Sequence, residues 1–183
     1  MNDVGDRGIL AIESESHDHG NQSEMIRAAI ALHEGSLLRY AQHFVGDLET
    51  ARDVVQDTFL KLCKQDPAHV GPHLAKWLFT VTRNRAIDVC RKEKRMKIAQ
   101  PESLAEQPAR APAAETVLER QEAADSLMAQ IRRLPDNQQE VLRLKFHGGL
   151  SYAEIADVTG LTKTNVGFIL HTAIKKLRQR VSP

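Results

Sequence analysis

The stretch Leu150 to Arg178, LSYAEIADVTGLTKTNVGFILHTAIKKLR, constrains this chain more than any other. It reads as two short helices joined by a tight turn, the second ending in a basic cluster, which is the pattern of a helix-turn-helix reader of DNA. Ser151 is placed to cap the first helix, and Glu154 stands three residues later, where a capping box needs a carboxylate. Ala153, Ile155, Ala156 and Val158 offer a small face that packs tightly. Gly160 sits where a left-handed residue ends a helix, and Thr162 is placed to cap the next one. Val166, Leu170, Ala173, Ile174 and Leu177 recur at spacings of three and four, so they share one face. Asn165, Phe168, His171, Thr172 and Lys175 then turn away from the core, toward a groove. A plain helical hairpin within a bundle is the alternative. The agreement of cap, turn and outward positions favours the DNA reader.

The rest of the chain supports an all-α fold. Apolar residues recur at helical spacing nearly throughout, and aromatic residues are only 4% of the sequence. No apolar run approaches a membrane span and the N-terminus lacks a signal-peptide core, so no membrane insertion and a cytoplasmic protein are expected. Cys63 and Cys90 lie far apart inside helical patterns and read as buried thiols in a reducing compartment. The net charge of +1 hides an asymmetry. Lys76 to Lys97 holds eight Lys/Arg against two acids, and Thr162 to Pro183 holds five Lys/Arg and no acid. The first 24 residues carry six acids against Arg7 alone. One basic block is usually a solvated face, but two of them in separate parts of a nearly neutral chain point to two contacts with a polyanion.

These features divide the chain. Residues 1–22 are acidic and without periodicity, and read as a disordered tail in which His17 and His19 are solvated rather than metal-binding. A helical domain is expected over 23–97. Its first stripe is Ile26, Ile30, His33, Leu37, Tyr40 and Phe44, with His33 as a packed histidine. A second helix after Gly46 turns Leu48, Ala51, Val55, Phe59 and Leu62 inward. Asp53, Gln56, Asp57, Leu60 and Lys64 then face outward, and an outward leucine among acids suggests a partner surface. The loop Asp66 to Pro72 precedes a helix from about His73, with Trp77, Leu78, Val81, Ile87 and Val89 as its apolar positions. Residues 98–113, with Pro101, Pro108 and Pro112, read as a flexible linker. A second small helical domain follows over 114–183, with Pro135 in the first turn of the helix that leads to Gly148–Gly149.

At this point a family resemblance is visible. DLETARDVVQDTFLKL (Asp47 to Leu62), AKWLFTVTRNRAIDVCRK (Ala75 to Lys92), a Pro-bearing linker and LPDNQQEVLRLKFHGGLSYAEIADVTGLT follow one another in order. Together they resemble a bacterial RNA polymerase sigma factor, of the two-domain extracytoplasmic-function (ECF) group of the sigma-70 family. The resemblance spans about Met25 to Arg180. It implies that the first domain is region 2-like and binds core RNA polymerase through Asp53, Gln56, Asp57 and Leu60. It implies that Trp77, Arg83, Asn84 and Arg85 meet the minus-ten element of promoter DNA, with Arg91, Lys92, Lys94 and Arg95 on phosphates. The second domain is then region 4-like and binds the minus-thirty-five element. The resemblance and the outward positions together put Thr164, Asn165, Phe168, His171, Thr172, Lys175, Lys176 and Arg178 at that element. An anti-sigma factor is a further candidate partner.

One departure stands out. Family members often carry basic residues at the positions of Gly167, Ile169 and Thr172, whereas this chain reads TNVGFILHT. Phe168 is then placed to meet thymine methyls, with His171 or Asn165 at base edges, or the element is read in part by DNA shape. Alternatively Phe168 and Ile169 pack on a partner. Two other function classes compete. A freestanding helix-turn-helix regulator would bind duplex DNA as a dimer without polymerase. An enzyme would need clustered carboxylates or His/Cys metal spacing, and the acids here are strung along solvent faces. The expectation is a promoter-recognition subunit with no catalysis of its own, no metal and no cofactor.

Overall fold

The computed structural model describes the backbone of residues 7–99 and 127–181, and the side chains of 22–96 and 127–180. Helices α1 (Arg7–Val45), α2 (Leu48–Leu62), α3 (Pro67–Val70) and α4 (Leu74–Ala99) come first. A helical segment, α5, covers 127–132. Then follow α6 (Asp136–Phe146), α7 (Tyr152–Thr159) and α8 (Lys163–Val181). Among the described residues there is no strand. The chain divides into two compact units, 1–87 and 88–183, and the division falls inside α4. Most of the expected linker, together with the expected pattern from Glu115 on, lies outside the described residues.

In the first unit α1 and α2 form an antiparallel hairpin. Gly46 makes the turn with a positive φ of 88°, and Asp47 caps α2 by accepting the Thr50 N–H at 2.8 Å. That bond is the main reason the Asp47 carboxyl is held below its usual range. The core joins Leu37, Tyr40 and Ala41 of α1 to Ala51, Val54, Val55 and Leu62 of α2 and to Leu78, Phe79 and Ala86 of α4. Tyr40 meets Phe44 and Phe79 edge-on, with ring centroids 5.2 and 5.1 Å apart. Two threonine hydroxyls lie in this core. Thr58 Oγ1 donates to the Val54 carbonyl at 2.9 Å and lies 3.1 Å from Thr82 Oγ1, so the pair satisfies itself across α2 and α4.

Several sequence expectations are corrected here. Helix α1 begins at Arg7, so a helix occupies most of the stretch read as a disordered acidic tail. It is tied down at Gln22, whose amide donates to the carbonyls of Cys63 and Gln65 at 2.9 and 3.1 Å. The expected loop after α2 holds the short helix α3, with Asp66 capping it through the Ala68 N–H at 2.8 Å, and a 3-10 turn over Gly71–His73. The inward face of α2 is Ala51, Val54, Val55, Thr58 and Leu62, while Leu48 is exposed and Phe59 half-buried. Cys63 is exposed and Cys90 half-buried, so neither is the buried thiol that helical patterning suggested.

In the second unit α6, α7 and α8 pack on one another around Leu134, Val141, Leu144, Leu150, Ile155, Val166, Leu170 and Ala173. The buried Gln139 amide donates to the carbonyls of Arg132 and Leu134 at 3.2 and 2.8 Å, closing the turn from α5 into α6. Pro135 immediately precedes α6 rather than standing in its first turn, and its carbonyl accepts the Gln138 and Gln139 N–H groups. The caps of the helix-turn-helix form as its sequence dictates. Ser151 N–H donates to Glu154 Oε2 at 2.8 Å, and Glu154 N–H returns to Ser151 Oγ at 3.3 Å. Gly160 takes φ 75° and ψ 13°, a region that costs an L-residue with a side chain about 1–2 kcal/mol. Thr162 Oγ1 accepts the Asn165 N–H at 3.2 Å and starts α8. Ala153 is exposed, so the packed face of α7 reduces to Ile155 and Val158, with Ala156 half-buried.

Candidate nucleic-acid interface

Helix α8 presents two contrasting faces. Val166, Ile169, Leu170 and Ala173 are buried. Thr164, Phe168, His171 and Lys175 follow at spacings of four, three and four on the opposite side, and all are exposed. Phe168 is 70% exposed, so its ring stands clear of the protein's own core. Asn165 is also exposed, whereas Thr172 is half-buried. Ile169 packs in the core, which removes it from any partner-facing pair with Phe168. Gly167 lies against the Tyr152 ring, whose Cε2 is 3.6 Å from where a β-carbon would stand, and the Lys145 ammonium lies over that ring at 5.6 Å from its centroid. Lys163 opens the helix, and no Lys or Arg follows until Lys175. Lys176 reaches back to Gln138 Oε1 at 3.4 Å, so it braces α8 on α6, and Arg178 is exposed.

Helix α4 is the second basic element. Its core side is Leu78, Phe79, Thr82 and Ala86, a face that apolar periodicity alone misses because one member is a threonine. Trp77, Val81, Ile87 and Val89, expected as apolar core positions, are each only half-buried. Positions 77, 84 and 91 are spaced by sevens and so share the outward side. Trp77 is half-buried there, while Asn84 and Arg91 are exposed. Lys92, Lys94 and Arg95 are exposed as well, and Asp88, Arg91, Lys94 and Arg95 line a shallow hollow. Arg83 is half-buried.

The outer face of α2 is of a different character. Asp53 and Gln56 are exposed, Leu60 is 55% exposed, and Lys64 ends the row. Leu60 also edges an apolar groove between α1 and α2, lined by Ile26, Ile30, Leu38, Val55 and Phe59. Asp57 stands at the margin of this face. Its carboxylate oxygen Oδ2 accepts the Arg85 Nε–H at 2.7 Å, a pair joining residues that the sequence assigned to two separate surfaces. Nothing local marks that pair, because the partners are 28 residues apart and meet only when α2 and α4 pack. Among the described residues no group of His, Cys, Asp and Glu could hold a metal ion, and no helix is long and apolar enough to cross a membrane.

The fold and these faces define a two-domain helical DNA-binding protein. The family profile of Sigma-70 region 2 matches residues 29–96, and that of Sigma-70 region 4 matches residues 124–177. The chain is 30% identical to the ECF RNA polymerase sigma factor RpoE of Cereibacter sphaeroides over the full length of both. It is 32% identical to the ECF RNA polymerase sigma factor SigL of Mycobacterium tuberculosis, across 86% of this chain and 89% of that one. Among solved structures it is similar to the sigma factor RpoE of Bartonella quintana, crystallised with the anti-sigma factor NepR. That likeness has a TM-score of 0.66 and 26% identity over 86% of this chain and 98% of that one. CnrH, solved with the cytosolic domain of CnrY, shares the fold, with a TM-score of 0.55 over 94% of this chain and 95% of that one. The chain belongs to the ECF group of the sigma-70 family, and it is a sigma factor directing promoter recognition and the initiation of transcription. A freestanding dimeric regulator is thereby set aside.

Proposed function

We propose that the three outward faces divide the work of initiation. Residues 23–97 act as the region 2-like domain and 114–183 as the region 4-like domain, with 98–113 linking them. The outer face of α2, through Asp53, Gln56 and Leu60 with Asp57 at its margin, receives core polymerase. Helix α4 receives the minus-ten element: Trp77, Arg83, Asn84 and Arg85 lie toward the bases, and Arg91, Lys92, Lys94 and Arg95 bind phosphates. Helix α8 enters the major groove at the minus-thirty-five element. Thr164, Asn165, Phe168, His171 and Thr172 face the base edges, and Lys175 and Arg178 anchor on phosphates, with Lys176 bracing the helix. The factor works in the cytoplasm, performs no catalysis itself and needs no cofactor. An anti-sigma factor is a further partner, as it is for the Bartonella quintana protein.

The observation that carries this reading is the division of chemistry between α2 and α4. One turns outward an acidic and polar row with an exposed leucine; the other turns outward a tryptophan, an asparagine and a dense run of cations. The test is reconstitution of the full chain with core polymerase on promoters found by mapping transcription starts. Asp53→Lys is expected to weaken core binding by about tenfold or more, as charge reversal at a partner surface does, while leaving the fold intact. Unchanged core affinity would remove α2 from the polymerase interface.

A further inference from the structure

We propose that Lys163 binds a backbone phosphate at the minus-thirty-five element, so that α8 is held on DNA at both its ends. The inference rests on the proposed placing of α8 in the major groove and adds a residue to it. Lys163 is the first residue of α8 and is exposed. Its neighbour Thr164 begins the outward row that continues through Phe168, His171 and Lys175. Lys163 therefore lies on a flank of that row, together with Gly167 one turn on. A helix lying in the groove turns its middle row to base edges and its flanks and ends to the two backbones. Gly167 has no side chain to reach a backbone from that flank, whereas the lysine has a long one. Lys163 and Lys175 are about 18 Å apart along the axis, at 1.5 Å per residue. Two lysines so far apart cannot share a phosphate, and the span exceeds the roughly 12 Å width of the major groove.

The fold does not call for this charge. The first turn of a helix carries the positive end of the helix dipole, so a cation there is unfavourable. Thr162 caps the turn without help from the lysine. No acidic residue stands in that turn, or anywhere from Thr162 to Pro183, to offset the charge. A phosphate reverses the balance, since it attracts the ammonium and meets no carboxylate on α8. Sign thus separates the role from a stabilising one. If Lys163 served the fold, removing its charge would destabilise the protein. If it serves DNA, removing its charge stabilises the protein and weakens promoter binding.

The experiment compares the parent, Lys163→Gln, Lys163→Glu and Lys175→Gln in the full chain, alone for thermal melts and reconstituted with core polymerase for promoter binding. Lys163→Glu is expected to raise the melting temperature by about 1–3 °C, because the first-turn charge becomes a favourable one. On promoter DNA the same variant binds about tenfold more weakly at low salt. Lys163→Gln loses less, and its log–log salt slope is shallower by about 0.9, the contribution of one phosphate. Between about 50 and 200 mM salt its deficit therefore shrinks roughly threefold. Methylphosphonate replacement, one position at a time across the minus-thirty-five element, then locates the contact. Removing a phosphate charge weakens the parent wherever a cation meets it. For Lys163→Gln one such position no longer matters, and it differs from the one lost in Lys175→Gln. Parent-like binding by Lys163→Gln at every salt concentration overturns the inference, as does an unchanged salt slope. So does loss of the same position as in Lys175→Gln, or a melting temperature lowered in both Lys163 variants. Lys175→Gln separates the inference from the wider reading. If it too binds like the parent and methylphosphonates across the element are harmless, α8 is not on the DNA and both fall. If Lys175→Gln weakens binding while Lys163→Gln does not, the inference alone falls.

Discussion

Helices α4 and α8 both carry cations toward solvent, but they distribute them differently. On α4, Arg91, Lys92, Lys94 and Arg95 crowd into little more than one turn. On α8 no cation stands between Lys163 and Lys175, and the outward row over that interval is Thr164, Phe168 and His171. Charge gives affinity that depends on salt and hardly on sequence, whereas apolar and hydrogen-bonding contacts to base edges depend on sequence. The contrast teaches that a strongly held region of DNA and a closely read one need not be gripped by the same chemistry.

The largest expected effect tests the charge-dense helix. Lys92→Ala combined with Arg95→Ala is expected to lower affinity on all promoters alike, roughly tenfold at moderate salt, and to flatten the log–log salt dependence by about 0.9 for each phosphate no longer neutralised. Binding titrations across a salt series measure both. An equal flattening from Phe168→Ala would break the contrast, since that residue has no charge to lose. A smaller effect probes the other helix. Phe168→Ala is expected to lose about 1 kcal/mol at a minus-thirty-five site bearing thymine, on the scale of a buried methyl. On the same site carrying uracil, which lacks that methyl, the loss shrinks toward zero. Equal losses on both templates would mean that Phe168 packs against protein.

The smallest expected effect concerns stability and sets the two units apart by pH. Burial lowers the pKa of His33 on α1. The unfolded chain then takes up the proton at higher pH than the folded one, so this contribution to stability is complete above about pH 6.5 and is lost as pH falls through the lowered folded value. His33→Gln is expected to remove that part of the pH dependence from thermal melts of the full chain. A melt profile between pH 7 and 5 that is the same for parent and variant would show that the imidazole gains nothing from its site.

What was legible in the sequence was local. The Ser151–Glu154 box, the Gly160 turn and the Thr162 cap each depend on residues within one helical turn, so spacing alone locates them. The phase of α4 was not legible, because Trp77 and Val81 are apolar yet half-exposed while Thr82 is polar yet buried beside Phe79. Only the packed partner, Thr58 of α2, explains that placement. Ile169 was legible in principle, standing three after Val166 and four before Ala173, but its neighbour Phe168 and the missing basic residues drew it into the alternative in which both pack on a partner. Residues 7–22 show no apolar rhythm and nevertheless fall within α1, because the backbone hydrogen bonds of a helix do not depend on an amphipathic pattern. The Asp57–Arg85 pair needed the fold.

The buried Thr58–Thr82 contact has a consequence for how this sequence can drift. Each hydroxyl is satisfied only while the other is present or its own carbonyl is in reach, and Thr58 has such a carbonyl in Val54. Replacing Thr58 alone strands the Thr82 hydroxyl in an apolar core, at about 1–3 kcal/mol, whereas replacing both by valine is close to neutral. The two positions are therefore expected to change together or not at all, although the end of α2, the short helix α3 and the start of α4 separate them along the chain.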